Sequence, residues 1–313
     1  MNKLTLEYQQ KFKDHLVFDP TVFDRIDARV KMHEETHRHP LSSSAACLNV
    51  IGALSGDPDA LRTYLNAFEL GIDEVLRFPS SVDCGGLEYA DSGYAVFEWV
   101  GPLRSPINEV GGGRGHNRTS VDAFVLVRIR GKLTQILVEW KFTEGTSRKL
   151  ALGRFSGGKG VERLRRYASV LAELRAKGAC PFRLSEEFDA KDPESYLGLY
   201  DLSPDHFYQL LRMTLLARTT TPLILGEYRI EDYRILHLTH SQNEMLNIVQ
   251  PEYLKLSPGL QHAAGQPFHA VWRSILADSE ETRFVSGHWD TAIQSICREP
   301  LRNYLLERYG RET

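Results

Sequence analysis

Three residues on two neighbouring apolar runs are the strongest chemical signal in the chain: Asp122, Glu139 and Lys141. They stand in Thr119-Ser-Val-Asp-Ala-Phe-Val-Leu-Val-Arg-Ile-Arg-Gly-Lys-Leu-Thr-Gln-Ile-Leu-Val-Glu-Trp-Lys-Phe-Thr-Glu144. Asp122 opens the first run, and Glu139 and Lys141 close the second. Charged residues are rarely buried in strands unless they are paired or coordinated. Sixteen residues separate Asp122 from Glu139, so a two-residue loop at Arg130-Gly131 leaves seven on each arm. Asp122 then faces Glu139 across the ladder. A loop at Gly131-Lys132 sets Asp122 opposite Lys141 instead. Either way all three side chains share one face. A three-residue loop or a bulge would break that parity. Directly opposed Cβ atoms lie about 4.5–5.5 Å apart. Two carboxylates held that close repel, and one stays protonated unless a cation joins them. Oxygen donors alone favour Mg²⁺ or Mn²⁺ over zinc. A charged lysine beside such an ion suits an anion, namely a phosphate.

This Asp-x16-Glu-x-Lys pattern on two adjacent strands resembles the PD-(D/E)XK motif of restriction-endonuclease-like nucleases, with Val121 where the motif has proline. The surrounding order also fits: helix, strand 93–100, strand 120–129, strand 133–142, helix 159–177, strand. A serine-started helix after His37-Arg-His-Pro-Leu-Ser-Ser-Ser-Ala45 is similar to that of bacterial restriction-endonuclease-like proteins. The hairpin resemblance covers 26 residues, and the last 60 or so show none. The resemblance implies an α/β protein with a restriction-endonuclease-like core, a mixed central sheet flanked by helices. It implies Mg²⁺-dependent hydrolysis of phosphodiester bonds, in DNA above all, with Mn²⁺ as a substitute. Asp122, Glu139 and the backbone carbonyl of Trp140 would hold the metal. Lys141 would orient the attacking water or stabilise charge on the phosphorus. An additional acidic residue is expected, for which Glu34, Glu35, Glu69, Glu74 and Glu98 compete. Glu144 also reads as a solvated turn residue.

Nucleic-acid contacts are expected on both sides of the hairpin. Gly111 to Arg118 is a glycine loop whose free N–H groups, with Arg114 and Arg118, could hold phosphates. On helix 159–177, Lys159, Arg163 and Arg166 lie away from the apolar face of Val161, Leu164 and Leu171. A flexible loop and a solvated helix face are the plainer readings.

One motif competes. His33-Glu34-Glu35-Thr36-His37 matches His-Glu-x-x-His, the signature of a zinc metallopeptidase. Its flanks are polar, Pro40 ends the helix almost at once, and no third ligand is evident. A third reading is a non-catalytic DNA- or partner-binding protein on the same fold.

Around these residues the sequence supplies ordinary globular elements. Leu6 to Arg38 reads as a polar helical stretch, and Leu41 to Leu54 as a buried helix capped by serine. Asp57 to Phe78 keeps a helical spacing of apolar residues. Pro204 to Ala217 reads as a helix, Pro222–Ile230 and Tyr233–His240 as strands, and Phe268 to Tyr309 as mostly helical. These divide into a helical extension over 1–40, a nuclease core over 41–245 and a helical C-terminal part over 246–313; Asp189 to Tyr196 is the best linker. The chain has 313 residues, 42% hydrophobic and 25% charged, which excludes a mostly disordered chain. A net charge of −3 excludes a polybasic coat protein but leaves room for a basic groove. No apolar run approaches a membrane span and the first residues lack a secretory core. Four scattered cysteines read as reduced thiols in a cytoplasmic protein. Cutting both strands of a duplex is compatible with a homodimer.

Overall fold

The computed structural model describes residues 18–25, 39, 41–79, 83–84, 87–88, 93–102, 104–110, 118–145, 153–186, 197–255 and 257–310. Its centre is the hairpin singled out above. Strand β5 (Val121–Ile129) turns directly into β6 (Lys132–Trp140). Arg130 and Gly131 both take left-handed backbone, φ 49° and 76°, so the loop has two residues. Such a turn matches the twist of the strands it joins.

Four more strands complete the central sheet. β1 (Ile72–Leu76) and β4 (Val96–Trp99) both pair antiparallel with β5 along its other edge. β9 (Asp232–Thr239) pairs parallel with β6, and β10 (Phe284–His288) parallel with β9. The parallel β6–β9 pair requires a crossover. It runs through α3 (Gly157–Ala176) and α4 (Asp205–Thr219). Two small hairpins stand apart: β2 (Asp83–Cys84) with β3 (Leu87–Glu88), and β7 (Leu223–Leu225) with β8 (Tyr228–Ile230).

Alternation along the strands divides the core into two layers. Phe124, Leu126 and Leu137 pack with α3 and α4. Ala123, Val125, Val127, Ile136, Val138 and Trp140 pack on the other face. That face is covered by α1 (Ser43–Cys47), its π-helical continuation Leu48–Gly52, α2 (Pro58–Asn66) and the C-terminal α8 (Glu299–Tyr309). Ser42 caps α1, its Oγ accepting from the Ala45 amide at 3.2 Å. Between β9 and α8 come α5 (Glu244–Asn247), α6 (Phe268–Ile275) and α7 (Asp278–Glu281). The molecule is thus a mixed α/β protein with a mixed central sheet between helical layers, as the resemblance implies. No helix among the described residues is long and apolar enough to cross a membrane.

The elements depart from the sequence reading in three places. The helix expected over Asp57–Phe78 stops at Asn66, and its second half is β1. Glu69 and Gly71 turn left-handed there, φ 58° and 64°, and send the chain into the sheet. The strand expected over Pro222–Ile230 is the β7–β8 hairpin, broken at Gly226 with φ 56°. The tail read as mostly helical contributes β10 to the edge of the central sheet. The polar helix of residues 6–38, apart from a single 3₁₀ turn at Pro20–Arg25, and the linker at 189–196 lie outside the described residues.

Candidate active site

The two-residue turn decides the register. Pairing runs from Ile129↔Lys132 to Ala123↔Val138, so the next step sets Asp122 opposite Glu139. The same count on β4, from Phe97↔Ala123 and Trp99↔Val121, sets Glu98 opposite Asp122. On the other side Glu139 pairs with His237 of β9, which pairs with Ser286 of β10. One row therefore crosses five strands: Glu98, Asp122, Glu139, His237, Ser286. It lies where β5 begins, near the ends of β6 and β9 and at the middle of β10.

Each acid in the row is held by a defined partner. Lys141 Nζ lies 2.6 Å from Glu139 Oε1 in an almost buried ion pair. Asp122 Oδ2 accepts from the Trp140 amide at 2.7 Å, which ties the start of β5 to the end of β6. Glu98 Oε2 accepts from Ser120 Oγ at 2.7 Å. Glu98 is 4% exposed and has φ 56°. A non-glycine residue in that region is strained, and such strain clusters at functional sites. Of the acids that competed for the additional role, Glu98 is the one in the row. Glu74 pairs with Arg128 near the hairpin turn, at 3.3 Å, and Glu69 sits in the exposed turn before β1. Glu34 and Glu35 lie outside the described residues, as do Arg114 and the whole His33–His37 motif.

The electrostatics are those of an enclosed acidic cluster. Burial is the largest influence on Glu139 and pushes its carboxyl up to about 7; Lys141 opposes this, and Asp122 and Glu144 add to it. Burial alone would lower the Lys141 ammonium, but Glu139, Asp122 and Glu144 outweigh it and hold it above the ordinary lysine value. The buried thiol of Cys47, on α1, is raised first by burial and then by Asp122, Glu98 and Glu139. The acids outnumber the single lysine at the centre.

Side chains from distant segments fix the backbone that follows Glu139. Ser43 Oγ donates to the Trp140 carbonyl at 3.0 Å. Trp289 Nε1 donates to the Lys141 carbonyl at 2.9 Å, and its ring stacks on Trp140 at 4.8 Å. Asn243 Nδ2 donates to the carbonyls of Phe142 and Glu144 at 2.7 and 2.9 Å. The Lys141 amide donates to Leu238 O at 2.8 Å, extending the β6–β9 ladder past Trp140. The sequence reading did not single out Glu98 as the acid of the row, and it missed Trp289 and Asn243. Ser43 was read only as part of a cap.

The donor set can be weighed against a divalent metal. Asp122, Glu139 and the Trp140 carbonyl are hard oxygen donors, and the enclosed negative charge exceeds what Lys141 neutralises. Type and charge therefore fit Mg²⁺ or Mn²⁺. Among the described residues no three His, Cys, Asp or Glu side chains converge as a ready metal cage. Glu139 is turned to Lys141 and Asp122 to the Trp140 amide, so taking a cation would require both to swing.

Three of the basic residues picked from sequence also meet. Arg118, Arg163 and Arg166 line one cavity of about 190 Å³ with Arg154 and Arg212. Their roles differ. Arg118 is 6% exposed and gives its guanidinium to the carbonyls of Val100 and Pro102. Arg212 Nε pairs with the buried Glu109 at 3.1 Å, and Arg154 with Asp205 at 2.7 Å. Arg163 donates to Arg154 O at 3.2 Å. Lys159 is exposed outside this cavity. The cavity sits beside Thr119, which Arg212 also contacts at 2.9 Å, and Thr119 leads straight to Ser120 and Asp122.

A family profile described as a restriction endonuclease associating with ARP (REase-ARP) matches residues 7–310. The chain belongs to the REase-ARP family. No curated protein and no solved structure matches it. REase-ARP membership accounts for the fold, a restriction-endonuclease-like one, and points to a nuclease. The family match spans both the hairpin and the C-terminal segment that supplies β10 and Trp289.

Proposed function

We propose that this chain is a metal-dependent nuclease of PD-(D/E)XK type that hydrolyses phosphodiester bonds in DNA. The observation that carries the reading is the register that sets Asp122 opposite Glu139, with Lys141 beside them at 2.6 Å from Glu139. Asp122, Glu139 and the Trp140 carbonyl would hold Mg²⁺ or Mn²⁺, with Glu98 next in line on β4. Lewis acidity toward the scissile phosphate, and a lowered pKa for the attacking water, would come from that ion when bound. Lys141 keeps its proton and offers a cationic donor to the phosphate or the water. Ser43, Trp289 and Asn243 hold the backbone at and after the end of β6, so Glu139 and Lys141 move as side chains on a fixed frame. The arginine cavity beside Thr119 offers the neighbouring phosphates a basic wall.

The test is cleavage of a mixed DNA panel with Mg²⁺ or Mn²⁺, comparing the wild type with Glu139→Ala and Lys141→Ala. Cutting that needs the metal and disappears in both variants upholds the reading. Cutting that survives both refutes it. The family description also names an association with ARP. We extend to this chain the proposal of a protein partner, tested by adding the candidate partner to the same assay. A homodimer is a separate proposal, read by light scattering.

A further inference from the structure

The acidic row continues past Glu139 into chemistry of the opposite sign. At His237 and Ser286 the sheet opens on a cavity of about 370 Å³, bounded by the ends of β9 and β10 and by α6. Arg273, His269 and His288 line it together with these two residues and Asn247, and among the described residues no carboxylate does. His237 is 2% exposed, and its Nε2 has no hydrogen-bond partner among the described residues. A buried ring nitrogen in that condition needs an explanation. Arg273 has no ion-pair partner among the described residues; its guanidinium lies 5.9 Å from the Phe284 ring centre.

The tautomer of His288 follows from its neighbours. Asn247 Nδ2 donates to the carbonyls of His240 and Ser241 at 3.0 and 3.1 Å, so its Oδ1 is the acceptor. Thr239 Oγ1 donates to that oxygen at 2.6 Å. The 3.3 Å contact between Thr239 Oγ1 and His288 Nδ1 is therefore donated by His288. Its Nε2 is left for the cavity and becomes a donor on protonation. The Arg273 guanidinium fork, the N–H groups that His237 and His269 can donate as neutral rings and the Ser286 hydroxyl, with no acid among the described lining residues, suit a multiply charged oxyanion.

We propose that this cavity binds a phosphoryl group, through Arg273, His237, His269 and His288. Its first wall, His237, is one strand spacing from Glu139, about 4.8 Å across the sheet. A phosphate held there is a neighbour of the one presented to Asp122 and Glu139, an assignment to a nucleic-acid strand that rests on the nuclease reading. The shared chemistry would also admit a free nucleotide. The volume exceeds that of an isolated ion and leaves room for the group attached to the phosphate.

The experiment follows the histidine NMR signals of the full chain in EDTA, where no metal-dependent cutting intervenes. It is titrated with inorganic phosphate, deoxyadenosine monophosphate and an eight-nucleotide single strand. Each should shift His269 and His288. Arg273→Ala should weaken phosphate binding at least tenfold, while Arg229→Ala, exposed on β8, leaves it unchanged. Arg273 and His288 are exposed, so their alanine variants should keep the wild-type melting temperature. Tighter binding of the strand than of the mononucleotide assigns the site to substrate; the reverse assigns it to a nucleotide ligand; both uphold a phosphoryl site. Unmoved histidine signals with all three, or an unchanged phosphate affinity in both Arg273→Ala and His288→Ala, overturn it. Failure of the cleavage test alone leaves this site standing.

Discussion

Lys141 and Glu139 stand two residues apart on one strand face, 2.6 Å from nitrogen to oxygen, and their side chains are only 11% and 8% exposed. Removing one partner of a buried pair leaves an uncompensated charge. Lys141→Met should therefore destabilise the chain by about 3–5 kcal/mol and lower cleavage about 100- to 1000-fold. Adding Glu139→Gln to it should return much of the stability and none of the activity. Urea unfolding of the four forms measures the coupling. Additive losses would mean that the pair is not the unit described here.

Asp122 separates structure from charge. Its Oδ2 accepts the Trp140 amide proton, a role that an asparagine oxygen can fill. Asp122→Asn should keep stability within about 1 kcal/mol, the scale of one ordinary hydrogen bond. It should lose the rise in melting temperature that Mg²⁺ or Mn²⁺ gives the wild type and EDTA reverses. A wild type whose melting temperature ignores both ions would remove the metal from the proposal.

Glu98 predicts a weaker effect on the same axis. Its charge reaches the cluster, but its oxygen is engaged by Ser120 at 2.7 Å. Glu98→Gln should keep that hydrogen bond and raise the metal concentration needed for half-maximal cleavage severalfold, with a smaller change in the rate at saturating metal. Equal curves for the variant and the wild type would leave Glu98 a strained structural residue.

The site was legible where it is local and illegible where it depends on return of the chain. The sequence brings Asp122, Glu139 and Lys141 to one face but leaves the loop open between Arg130-Gly131 and Gly131-Lys132; the left-handed backbone of both Arg130 and Gly131 decides for the first and sets Asp122 opposite Glu139. Glu98 reaches the same row only because β4 pairs with β5 after a long loop, and its own backbone conformation is unusual. Trp289 and Asn243 hold the residues that follow β6 from about a hundred or more positions away. Ile72-Asp-Glu-Val-Leu76 fits a helical spacing as well as a strand, and the left-handed turn at Glu69 and Gly71 decides between them. Phe284–His288 is five residues among helices, too short for periodicity to mark.

The arginine cavity contains two kinds of arginine. Arg212 neutralises Glu109, whose side chain is 1% exposed, so Arg212→Ala should cost about 3–5 kcal/mol of stability. Arg166 lines the same cavity without an ion-pair partner among the described residues. Arg166→Ala should leave stability within about 0.5 kcal/mol. If the residue contacts a phosphate, DNA affinity should fall across all sequences and the salt slope should drop by about 0.9. Titrations at several salt concentrations read the slope, and an unchanged one excludes Arg166 from the interface.

His206 gives the fold an acid limit. Burial, followed by the charge of Lys141, lowers its imidazole from 6.5 to about 3, and its Nε2 is buried without a partner among the described residues. The folded chain keeps this ring neutral while the unfolded chain protonates it near 6.5. Below that pH the unfolded state binds the extra proton, so stability is lost as pH falls from about 6.5 toward about 3 and is level above. One such group contributes a slope of about 1.4 kcal/mol per pH unit inside the window. His206→Phe keeps a ring against Phe268, where the histidine centroid lies 3.7 Å away, and removes the titration. Urea unfolding at pH 7, 5.5 and 4.5 should show a shallower acid limb in the variant by about one proton. Parallel limbs in the two proteins would mean that His206 charges in the folded state as readily as in the unfolded one.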